Sequence, residues 1–192
     1  MRKPNQITVD RILLLYLLKL AEPFGLLNDV KLQQLAFLSE LQMFNKGVKG
    51  FHFEFFRYAY GVFSKDLDND LMSLRRKERV ENFSVAEAAD PALALFLDSI
   101  EKADKEEQAE ANKQVIEILR AVIEHYGPQE TDAVMKAVEA VEISTPAQPE
   151  FKIAIRDVSF HTTLLVPSRI EVKHELTLPP AVLARVNAGL GY

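Results

Sequence analysis

The stretch FHFEFFRYAYGVF, residues 51–63, decides how this chain is read. It holds seven of the 17 Phe and Tyr residues, a density that points to a core segment, with a groove for a partner lined by some of the rings as the alternative. Phe51, Phe53 and Phe55 alternate as on a strand, whereas Phe56, Tyr58 and Tyr60 have the opposite parity. A bulge or bend is therefore expected near 55/56. Tyr60-Gly61 then makes a turn.

Working outward, Ser64 is placed to cap a helix whose Leu67, Leu71 and Leu74 stripe faces the core. Asp66 in its first turn and Arg75, Arg76 and Lys77 in its last match the helix dipole. Residues 80–85 then form a short strand as one arm of a wing. Upstream, Asn28-Asp29 opens a helix running to about Asn45, before Gly47. Its apolar residues spread around the whole circumference, which puts it at the centre of the domain, with Leu35 and Leu38 buried. An earlier helix is expected over residues 9–21, starting at Thr8 or Asp10 and ending at Glu22-Pro23-Phe24-Gly25.

From Asp90 the character changes. Asp90-Pro91 opens a helix through Leu93, Leu97 and Ile100. The polar run at 101–113 is a solvated helix or a helix join, or else a linker, helix being favoured because Ala, Glu, Lys and Gln are strong helix formers. Val115, Ile116, Leu119, Val122, Ile123 and Tyr126 form an amphipathic stripe stopped by Gly127-Pro128, with His125 near its end as a partner for the dipole. Val134, Val138 and Val141 mark another helix. Residues 151–155 and 169–178 alternate like strands, and Pro179-Pro180 opens a last short helix. The fold class expected is α+β and mainly helical. A winged-helix-like module spans residues 1–89, and an acidic helical segment with a strand-containing tail spans 90–192.

The 192 residues can bury a sizeable core, and 48% hydrophobic with 27% charged residues is the balance of a soluble globular protein. Without Cys there is no disulfide framework, thiol nucleophile or thiolate zinc cluster. The apolar run at residues 12–18 is far shorter than the about 20 residues of a membrane span and is followed by no small-x-small cleavage site, so a folded helix and a cytoplasmic location are expected. Residues 1–89 hold 13 Lys and Arg against 11 Asp and Glu, a net of +2, while residues 90–192 hold 10 against 17, a net of −7. Bulk charge disfavours nucleic-acid binding by the second half.

No histidine pair among His52, His125, His161 and His174 has a zinc-ligand spacing. His174 shares parity with Ile170, Val172, Leu176 and Leu178, so it is expected as a hydrogen-bonded core histidine. Asp66, Asp68 and Asp70 lack the turn glycine of a calcium loop and are expected in surface and capping roles. The chain has neither a Gly-rich phosphate loop nor a nucleophile elbow, so no enzyme, metal or cofactor is expected. Opposite the leucine stripe of the third helix stand Lys65, Asn69, Met72, Ser73 and Arg76, followed by Lys77 and Arg79. An ordinary solvated face is the first reading of this strip; these seven are the candidate partner-binding residues if it meets a protein or, after that, DNA, whose phosphate backbone the flanking Asp66 and Asp68 would repel.

The ordered set Lys31-Leu32-Gln33-Gln34-Leu35-Ala36-Phe37-Leu38, Tyr58-Ala59-Tyr60-Gly61-Val62-Phe63-Ser64-Lys65-Asp66-Leu67, Asp70-Leu71 and Leu74 resembles the Panacea domain family, which includes SocA-like proteolytic adaptor and antitoxin proteins and YwgA-like relatives. The resemblance covers roughly residues 12–83; Val62 stands where the family usually has Pro, and the acidic second half has no counterpart in it. It implies a non-enzymatic module that binds macromolecules, a protein partner such as a toxin first among them. A winged-helix DNA-binding regulator is the alternative function.

Overall fold

The computed structural model describes the whole chain except residues 26, 103 and 104. Among the described residues it is an α+β protein dominated by seven helices, with several small sheets. Helix α1 spans Pro4–Ala21, five residues earlier than the periodicity suggests. Pro4 supplies a helix-ready φ at the first position, and the Gln6 side chain accepts from the Lys3 backbone N–H at 2.9 Å. Thr8 and Asp10, the expected caps, lie buried inside the helix instead. Residues 12–18 are buried on every side because α1 packs against α3 (Lys65–Arg76), α4 (Asp90–Glu101), α5 (Glu106–Tyr126) and α7 (Pro180–Gly189). The centre is therefore shared by α1 and α2 (Asp29–Asn45), rather than held by α2 alone.

Helix α2 starts as its sequence suggests: Asn28 Oδ1 accepts from the Lys31 backbone N–H at 2.9 Å. Leu35 and Leu38 are buried, and α2 packs against α5 and α6 (Thr131–Glu139). Strand β1 (Val48–Lys49) follows, then β2 (Phe55–Tyr58), β3 (Gly61–Phe63) and, after α3, the hairpin β4 (Val80–Glu81) and β5 (Ser84–Val85). The parity change in the aromatic stretch is real. Phe51, Phe53 and Phe55 are fully buried, Tyr58 and Tyr60 are exposed, and the strand register shifts between Phe55 and Phe56. Ser64 caps α3 by accepting from the Leu67 N–H.

Helix α5 covers most of the polar run that follows α4, and positions 103 and 104 of that run lie outside the described residues. The tail then returns to the first third of the chain. An outlying hairpin of β6 (Glu142–Thr145) and β7 (Gln148–Ala154) precedes β8 (Thr163–Leu165), which pairs with β2, and β9 (His174–Glu175), which runs parallel to β1. The expected long strand at 169–178 is reduced to the two residues of β9, since β1 offers only two residues to pair with. Buried Asn112 of α5 anchors this segment by donating to the Thr177 carbonyl at 3.1 Å.

Candidate partner-binding surface

Helix α3 places the seven candidate residues in two groups. Lys65, Asn69, Met72 and Arg76 are exposed, Met72 by 51%. Asn69, Met72 and Arg76 border an open cleft against α1. Ser73, Lys77 and Arg79 instead meet the C-terminal turn. The Tyr192 hydroxyl donates to Ser73 Oγ at 2.5 Å, Lys77 Nζ stands 5.2 Å from the Tyr192 ring centre, and Arg79 Nε donates to the Gly189 carbonyl at 2.7 Å. The Tyr192 ring also lies 3.8 Å from the Arg11 guanidinium, so two cations engage this turn.

The three aspartates of α3 are not alike. Asp70 is buried and accepts from Arg2 at 2.6 Å and Arg11 at 3.0 Å, which overturns its expected surface role. Burial raises its pKa, opposed by those two guanidinium groups. Asp66 lies 3.4 Å from Arg2, and Asp68 is half-buried on the other flank of the helix.

Arg2 continues into a buried polar cluster. It donates to Asp10 at 2.8 Å, and Asp10 also receives the backbone N–H and Nδ1 of His52 at 2.9 and 2.8 Å. His52 Nε2 meets Glu175 at 2.8 Å, so α1, the aromatic stretch and β9 share one ionic clamp. Burial works against the His52 charge, but the hydrogen bonds to Asp10 and Glu175 prevail and lift its pKa to about 9. The bond from His52 holds Glu175 down at about 2. With both ring nitrogens engaged by carboxylates, His52 is a fastened imidazolium and not a free acid or base. The buried, hydrogen-bonded histidine of this protein is thus His52, while His174 is half-buried at the end of the β1–β9 pair. Among the described residues, no three His, Asp or Glu side chains are arranged to hold a metal ion.

Close to the clamp, Glu40 is completely buried and neither carboxyl oxygen has a hydrogen-bond partner among the described residues. Burial, then the neighbouring Asp10, raises its pKa well above the ordinary value; the Phe53 backbone N–H polarises it from outside hydrogen-bond geometry. A lone carboxyl in such a place is held neutral.

A second arrangement is built on α2. Gln33 accepts from the Ser64 N–H at 2.8 Å and donates to the Ser64 carbonyl at 3.2 Å. Gln34 does the same for Val62, at 3.1 Å in both directions, and donates to the Tyr60 carbonyl. Residues 62 and 64 of an extended segment point their backbone groups the same way, so two consecutive glutamines act as a substitute strand along the free edge of β3. This latch fixes a cavity of about 170 Å³ between α2, the β2–β3 turn and α3, lined by apolar side chains including Val30, Leu32, Val62, Leu67 and Leu71. Tyr58 and Tyr60 stand on its rim, 40% and 59% exposed, and Asp29 and Asp68 also border it. None of the seven candidate residues lines this cavity. The sequence signal for it was the aromatic stretch itself, in its groove-lining sense.

Comparison of the chain with models of protein families, with curated proteins and with solved structures finds no match.

Proposed function

We propose that this chain is a non-enzymatic interaction protein that binds a protein partner in the cytoplasm, as an antitoxin-like or adaptor-like member of the Panacea kind. The observation that supports this is the latched apolar cavity with Tyr58 and Tyr60 exposed beside it. Rigid, half-exposed aromatic side chains beside an apolar depression are the usual anchors of protein interfaces. Of the residues that line the cavity, Leu32, Gln33, Gln34, Tyr58, Tyr60, Val62, Phe63, Leu67 and Leu71 belong to the set that carries the Panacea resemblance. On this reading α1, α2, α3 and the β4–β5 hairpin correspond to the helices and wing of a winged-helix-like module, with the helical segment from α4 to α6 inserted before the strand-containing tail.

The DNA-regulator alternative would rest on Lys65, Arg76, Lys77 and Arg79 as phosphate contacts. Arg79 is already bonded within the chain and Lys77, though exposed, sits at the Tyr192 ring, which leaves Lys65 and Arg76 as the exposed cations of that set that lie away from the C-terminal turn. The two functions separate by salt. Affinity purification of the tagged protein from its own cells is expected to recover a specific protein at both low and high salt. A Tyr58→Ala/Tyr60→Ala variant of unchanged melting temperature should lose it. Recovery unaffected by the double substitution, or only of nucleic acid released by salt, would refute the proposal.

A further inference from the structure

We infer that the cavity between α2 and α3 receives one large apolar side chain of the partner, leucine-sized or aromatic, from a segment that carries Lys or Arg next to it. This rests on the protein-partner reading above and specifies what that partner presents. Size comes first: at about 170 Å³ the cavity is well below the about 300–1,000 Å³ of sites for nucleotides or drug-sized ligands, and suits a single anchoring side chain.

Chemistry narrows it further. The two amides that face this region, Gln33 and Gln34, are already spent on the backbone of Val62 and Ser64. What remains available inside is hydrocarbon, so the occupant is apolar. The same latch closes the edge of β3, because the Val62 N–H and C=O that an added strand would need are bonded to Gln34. A partner therefore engages by inserting a side chain and not by strand addition.

Charge supplies the flank. Asp29 and Asp68 border the cavity, and among the described residues no Lys or Arg lines it. Arg75 lies 3.9 Å from Asp29, but its guanidinium is fastened to the Asn82 carbonyl at 2.7 and 2.9 Å. The Asp29 side chain is 74% exposed. Two carboxylates from the first turns of α2 and α3 beside an apolar hole repel a phosphate backbone and attract a cationic segment.

Titration of short synthetic peptides into the full chain, followed by the methyl resonances of Val30, Val62, Leu67 and Leu71, tests this. The probe is a Lys/Arg-rich peptide with one central leucine; its controls carry serine for the leucine, or glutamate for the basic residues. Saturable shifts centred on these methyls are expected with the leucine peptide. Binding should weaken by about tenfold or more with either control, the scale of losing one buried leucine. It should weaken likewise in an Asp29→Lys/Asp68→Lys variant of unchanged melting temperature. Equal response to all three peptides, or shifts that appear only as the protein concentrates or when duplex DNA is added, would overturn the inference. If the natural partner still depends on Tyr58 and Tyr60 while the peptides fail to discriminate, the anchor is wrong and the protein-partner reading stands.

Discussion

The Gln34 carboxamide occupies the space in which any residue but glycine at position 61 would carry its Cβ: that atom would lie 2.2 Å from Gln34 Oε1. Gly61 also has φ +82°, a conformation that other residues adopt at a cost. The tight approach lets one side chain satisfy the Val62 N–H and C=O together. Gly61→Ala should therefore destabilise the protein by about 2–4 kcal/mol, from backbone strain plus the buried groups left unpaired. In a Gln34→Ala background the same substitution should cost only the strain, about 1 kcal/mol. Urea unfolding of the four proteins of this cycle measures the difference; additive costs would mean that Gln34 and Gly61 do not act as one unit.

The two glutamines also mark the limit of what the sequence discloses. Helix starts at Asn28 and Ser64, the parity change at 55/56 and the terminal helix after Pro179 are local matters, written within a few residues, and they emerge from periodicity and capping alone. The ionic clamp is not local. Asp10, His52 and Glu175 are separated by 42 and 123 positions, so no spacing rule joins them, and Asp10 looked like a helix cap. Gln33 and Gln34 sit in a helix buried on most sides, where polar residues would be taken for a surface stripe until their partners at 62 and 64 are seen. The same holds for Asp70, whose partners Arg2 and Arg11 belong to a different helix or its preceding turn. The cavity follows from that latch, so the aromatic stretch could signal a groove in the sequence but not its place between α2 and α3.

The clamp makes stability depend on pH from both sides. His52 has its pKa raised from 6.5 to about 9 in the folded protein, so its contribution is fully present below 6.5 and is lost as pH rises through 9. Glu175 is lowered from 4.5 to about 2, so its contribution is present above 4.5 and is lost as pH falls through 2. The histidine's share is on the order of 1–3 kcal/mol. Urea midpoints at pH 6, 8 and 10 should fall in the wild type, and His52→Gln should flatten that decline. An unchanged alkaline slope in the variant would show that His52 is not the titrating group.

Glu40 should shift stability with pH in the same direction as His52, beginning at a lower pH. A carboxyl whose pKa is raised in the fold costs stability as pH climbs above its ordinary 4.5, because the unfolded chain ionises more readily than the folded one. Glu40→Gln keeps the shape and removes the ionisable proton. It is expected to cost little near pH 5 and to gain on the wild type as pH rises to 8. A loss of about 2 kcal/mol or more at pH 8 would instead mean that the carboxylate is charged and paired in the folded protein.

The cations at the end of α3 separate support of the fold from contact with a partner. Arg79 joins the Gly189 carbonyl at 2.7 Å and the Lys77 carbonyl at 2.8 Å, bonding the residue before β4 to the last helix. Losing a hydrogen bond from a charged donor costs about 1.5–3 kcal/mol, so Arg79→Ala should lower the melting temperature measurably. Lys65 and Arg76 are exposed, and their replacement by Ala should stay within about 0.5 kcal/mol of the wild type. Fluorescence anisotropy with labelled duplexes at near-physiological salt then tests what these side chains do outside the fold. Weak, sequence-independent affinity is expected, because Asp66 and Asp68 flank the exposed cations and residues 90–192 carry a net of −7. Binding of one particular duplex at roughly 1–10 nM, abolished in the Lys65→Ala/Arg76→Ala variant that still melts like the wild type, would replace the protein-partner function with that of a DNA-binding regulator.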